Sequence, residues 1–125
     1  MTTYRIRNAT RAKTVAESAS FAGDSKERRT GLLKRTTFPE GEGLLLAPCE
    51  CIHTFGMKFP IDVVFLSRKR KVLKIAAALP AWRIAVSLFA DTALELPAGT
   101  AARTGTSVGD ELVFEKLESE VRLVD

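Results

Sequence analysis

Ile61-Asp62-Val63-Val64-Phe65-Leu66 is followed by Ser67-Arg68-Lys69-Arg70-Lys71 and then by Val72-Leu73-Lys74-Ile75. Two apolar runs of strand length, rich in β-branched residues, flank a polar basic segment of hairpin-loop length. The four cations of the loop stay hydrated in such a turn. Inside the first run Asp62 is the one polar residue, and alternation places it on the same strand face as Val64 and Leu66. A carboxylate withdrawn from water must find hydrogen-bond or charge partners, either the N–H groups of a neighbouring turn or a side chain such as His53, Lys58 or an arginine.

Working outward, short β-rich runs recur between turn signals: Tyr4 to Asn8, Lys13 to Phe21, Gly43 to Ala47, Cys51 to Phe55, Lys71 to Leu79, Arg83 to Phe89, Ala93 to Leu96, Glu111 to Lys116 and Glu120 to Val124. Pro97-Ala98-Gly99 and Val108-Gly109-Asp110 read as turns before strands. Strands this frequent predict a mainly β, single-domain β-sandwich or jelly-roll-like barrel. One short helix is predicted near residues 25–31, where Asp24 can cap the first turn and Glu27 can reach back to the cap. Arg28, Arg29, Lys34 and Arg35 gather at its far end, where the helix dipole is negative.

The chain has 125 residues, 46% of them hydrophobic and 27% charged, with no repeat and no linker, so residues 1–125 are read as one domain. No apolar run reaches the length of a membrane span, and the opening residues lack the apolar core of a secretory signal. The expected compartment is cytoplasmic. There Cys49 and Cys51 should stay as thiols, since a strand also holds such residues too far apart for an easy bridge. The net charge of +4 hides a gradient: +6 over residues 1–35, +3 over 36–83 and −5 over 84–125. A basic half suits an anionic partner, but it defines no site.

The chemistry-bearing residues concentrate between positions 49 and 62. Cys49, Cys51 and His53, the only histidine, share one face of an extended strand. They are the candidates for a metal, but the outer two would lie about 13 Å apart, too far for one tetrahedral ion, and no second Cys/His pair exists. No metal or other cofactor is predicted. A Cys51–His53 nucleophile pair, with Asp62 as orienter, is geometrically easier. Motifs for a nucleophile elbow, a phosphate loop or a zinc-protease helix are absent.

With these residues laid out, the chain resembles the domain of unknown function 192 family. The likeness rests on Arg29-Thr30-Gly31-Leu32-Leu33-Lys34-Arg35, Gly43-Leu44-Leu45-Leu46, His53-Thr54-Phe55-Gly56-Met57 leading into Pro60-Ile61-Asp62-Val63-Val64-Phe65-Leu66, Leu94-Glu95-Leu96-Pro97-Ala98-Gly99, and Gly109-Asp110. His-Thr-Phe-Gly-Met replaces the tryptophan-bearing block common in that family, which places the chain in a histidine-bearing branch. The resemblance implies a compact β-sandwich or jelly-roll-like fold with a short helix, and no established activity.

The reading that follows is a small binding domain whose polar pocket gathers His53, Thr54, Met57, Asp62, Arg29 and Glu95, beside Trp82, for a small molecule or a protein. One alternative is a cysteine- or metal-dependent enzyme using Cys49, Cys51 and His53. The other is a nucleic-acid or anionic-partner binder acting through residues 68–71 and 28–35, although no aromatic residue is interleaved with those cations to stack on bases.

Overall fold

A computed structural model describes residues 2–24 and 31–117. The helix expected near 25–31, apart from Gly31, and the strand expected at Glu120 to Val124 lie outside the described residues, as does Arg29. The described part contains β1 (Thr3–Asn8), β2 (Lys13–Ala22), β3 (Glu42–Leu46), β4 (Cys51–His53), β5 (Ile61–Leu66), β6 (Val72–Leu79), β7 (Ile84–Val86), β8 (Thr92–Pro97), α1 (Thr100–Thr104) and β9 (Leu112–Lys116).

Seven strands form one sheet in the order β6-β5-β8-β3-β2-β1-β9, and β4 pairs with β7 in a separate antiparallel ribbon. Every neighbouring pair in the large sheet is antiparallel except β2 and β3, which run parallel. The sheet curls until its two edge strands approach, with Lys71 bridging Glu111 and the Val72 N–H donating to the Asp110 carbonyl at 2.9 Å. Side chains from all seven strands, among them Ile6, Ala16, Leu45, Val64, Val72, Leu94 and Leu112, fill the concave face.

A second apolar layer lies on the opposite face. Leu44, Leu46, Ile61, Val63, Phe65 and Ala93 point away from the barrel interior and are covered by Ile52 and Ala85 of the ribbon, with Leu32 and Met57. This explains why β5 is wholly buried: one set of alternate residues packs inside the barrel and the other packs beneath the ribbon.

Thr54 fastens the ribbon down. Its hydroxyl donates to the Pro80 carbonyl at 2.7 Å and accepts the Arg83 N–H at 2.9 Å, while its backbone N–H donates to the Arg83 carbonyl. Asp62 resolves the question its sequence position raised in favour of backbone N–H groups, one from β6 and two from the Gly99–Ala101 turn. Oδ1 accepts from Ala78 at 2.8 Å and Gly99 at 3.3 Å, and Oδ2 accepts from Ala101 at 2.8 Å. The segment Pro97-Ala98-Gly99 therefore leads into α1 rather than into a strand. Gly99, at φ +94°, supplies the left-handed entry that lets two amides converge on one carboxylate.

Candidate functional site

The ribbon does not seal the second layer completely. Between Pro48–His53, Met57, Gly31-Leu32 and the sheet lies an open cleft of about 400 Å³, whose lining includes Leu46, Ile52 and Glu95. Antiparallel pairing places Glu95 opposite Leu44 on β3 and opposite Val63 on β5, both apolar. Alternation along β8 sends Leu94 and Leu96 into the barrel and Glu95 the other way, beneath the ribbon.

Glu95 is only 5% exposed. Among the described residues none donates a hydrogen bond to its carboxyl, and burial alone pushes it up to about 8. No fully enclosed side-chain polar atom of the described residues lacks a partner, so the Glu95 oxygens retain contact with the cleft space. At neutral pH the floor of the cleft therefore carries a carboxylic acid, able to donate a hydrogen bond as well as to accept one.

Over it stand Cys49, Cys51 and His53, contributed by β4 and the residue pair preceding it. Neither cysteine forms a disulfide. The Cys49 thiol donates to the Cys51 carbonyl at 3.4 Å, and no hydrogen bond joins His53 to either thiol. The Phe55 N–H donates to His53 Nδ1 at 3.3 Å, which leaves Nε2 as the protonated nitrogen of the neutral ring. The His53 ring lies 5.0 Å from Phe55, and Phe55 stacks on Trp82 at 5.7 Å, so an aromatic row leads from the cleft to the protein surface. Among the described residues no cluster of His, Cys, Asp and Glu has the makings of a metal site.

The pocket expected from sequence is thus redistributed. His53, Met57 and Glu95 do line one cleft, together with both cysteines. Thr54 and Asp62 do not: each is buried and consumed by backbone partners, Asp62 on the barrel side of β5 with Val64 and Leu66. The expected convergence of Asp62 with His53 fails because β5 separates the two faces, and the orienter role for Asp62 fails with it. Glu95 is the residue whose weight the sequence understated. Alternation alone left its direction open; the missing information was that the outward face of β8 is itself covered.

The chain matches the family model DUF192, described as an uncharacterized ACR, over residues 6–114. A search of curated proteins found no match. Two solved structures share the fold. A protein of unknown function from Novosphingobium aromaticivorans DSM 12444 is 23% identical, with a TM-score of 0.77 over 89% of this chain and 83% of that one. A protein from Sinorhizobium meliloti 1021, described as a candidate transcription regulator, is 25% identical, with a TM-score of 0.79 over 90% of this chain and 92% of that one. Among the described residues no helix is long and apolar enough to cross a membrane. With the family model matched from β1 through to β9, the chain belongs to the DUF192 family.

Proposed function

We propose that this protein is a small-molecule-binding domain whose ligand sits in the cleft over Glu95. The observation that carries the reading is a carboxyl 5% exposed, without a partner among the described residues, at the floor of an open cleft. A desolvated polar group facing a cavity gains most when a ligand supplies the missing hydrogen bond. Leu32, Leu46, Ile52 and Met57 form the apolar part of the lining, beside Cys49, Glu50, Cys51 and His53, so the matching ligand has a compact apolar body and one acceptor oxygen. The cleft volume of about 400 Å³ is that of a small-metabolite site.

The competing chemistry is a cationic ligand, which would ionise Glu95 instead. Titrations of the ¹⁵N-labelled protein with cyclohexanone and with cyclohexylammonium separate the two. Cyclohexanone is expected to shift the amide signals of Leu46, Ile52 and Glu95, to bind more weakly above pH 8 as the donor proton is lost, and to lose its site in Glu95→Leu. Selective binding of cyclohexylammonium, or unchanged cyclohexanone binding in Glu95→Leu, would overturn the proposal.

A further inference from the structure

We propose a second, independent site at one mouth of the barrel: an opening for a small organic anion whose apolar body enters between Tyr4, Phe21 and Phe114 and whose carboxylate or phosphate head is held by Arg70. A cavity of about 340 Å³ opens there, sharing no lining residue with the Glu95 cleft, at the start of β1 and β8 and the ends of β2 and β3. Leu45 and Thr92, both buried, form its inner wall, and three half-buried aromatic rings form its sides. The Tyr4 and Phe114 rings are tilted against each other, with their centres 6.0 Å apart.

The basic loop between β5 and β6 overhangs this opening. Arg68 leans toward Asp91 at 4.0 Å, so part of its charge is already answered. Arg70 has no carboxylate partner among the described residues; its guanidinium lies over the Phe114 ring, 4.0 Å from the centre. A guanidinium held over a ring face spends none of its N–H donors on that contact, and those donors can grip a carboxylate or phosphate in a bidentate manner. The backbone commits to this placement: Arg70 sits at φ +65°, a region that non-glycine residues rarely adopt, and its carbonyl is held by the Leu112 N–H at 2.9 Å. The sequence hid the arrangement because the cations are contiguous in one loop, whereas the rings that accompany them come from β1, β2 and β9.

The test is a titration of the ¹⁵N-labelled protein with benzoate and phenyl phosphate, with benzyl alcohol and inorganic phosphate as controls. One or both of the aromatic anions should shift the amide signals of Leu45, Arg70 and Thr92 without moving those of Ile52 and Glu95. Which of them binds assigns the head group as carboxylate or phosphate. Arg70→Gln should weaken that binding about 10- to 100-fold, and Arg70→Lys less, since loss of a charge-assisted pair is read on that scale. The proposal falls if benzyl alcohol or inorganic phosphate alone binds as well as the aromatic anions, if neither anion binds, or if Arg70→Gln leaves their affinity unchanged.

Discussion

Across the antiparallel ladder between β3 and β8, Leu44 stands directly opposite Glu95. The neighbour on the other side of Glu95 is Val63. Flanked by hydrocarbon and roofed by the ribbon, the carboxyl loses hydration and gains no compensating donor from the described residues, which is the physical origin of its retained proton.

That proton has a consequence for stability. The unfolded chain releases it near the ordinary value of 4.5, whereas the folded chain keeps it up to about 8. Between those values the unfolded state binds fewer protons than the folded one, so stability falls as pH rises, by up to about 1.4 kcal/mol per pH unit and roughly 4 kcal/mol across the whole interval. Glu95→Gln removes this dependence. Urea unfolding from pH 5 to 9 should show the variant overtaking the wild type as pH increases, and parallel pH profiles would contradict the assignment.

Asp110 produces the opposite limb. The Arg11 side chain donates to its Oδ2 at 3.0 Å, and Asn8 and the Ser107 N–H add further bonds at 2.9 and 3.0 Å. Led by the Arg11 hydrogen bond, these partners hold the carboxyl below its usual 3.8 against the effect of burial. Its contribution is fully present above the unfolded value and is lost as pH falls through the lower, folded value. Asp110→Asn should therefore flatten the acid limb of the stability curve below about pH 4. An unchanged acid limb would show that the junction of the barrel edges does not depend on this charge.

Asp62 is predicted to matter for folding and not for the cleft. Replacing it by Asn substitutes an amide donor for an oxygen that now faces backbone donors, so Asp62→Asn should cost about 3 kcal/mol in urea unfolding. The amide signals of Ile52 and Glu95 should hardly move. Large shifts at those positions with little loss of stability would reverse the division of roles between the two acids.

The ribbon anchor gives a separate expectation. Thr54→Val removes the hydroxyl that bridges the Pro80 carbonyl and the Arg83 N–H, leaving buried groups unpaired at a cost of about 2 kcal/mol. Amide exchange should accelerate at Arg83 well beyond any change at Val64 in the barrel. Equal acceleration at both sites would mean that the ribbon does not open separately from the sheet.

Much of this architecture was legible from alternation. Each β-rich run within the described residues corresponds to a strand, and Ile61–Leu66 coincides with β5 at both ends. Local pattern does not say what covers a strand's second face. The same period of two that buried Asp62 left Glu95 open to either solvent or protein, and only the ribbon Cys51–His53 with Ile84–Val86, folded over the sheet from elsewhere in the chain, decides the matter. The α1 helix was missed because it is five residues long and its N-terminus is held by Asp62, a partner 39 positions away, rather than by a side-chain cap of its own. The barrel-mouth aromatics escaped notice for the same reason: Tyr4, Phe21 and Phe114 meet only through strand order.

The most direct measurement is the carboxyl ¹³C titration of Glu95 in the folded protein, assigned by comparison with Glu95→Gln. A midpoint near 8 would show the acid to be neutral at the cleft floor under neutral conditions, as the geometry and burial require. A midpoint between 4 and 5, that of an ordinary hydrated glutamate, would contradict the account and leave the cleft without its donor.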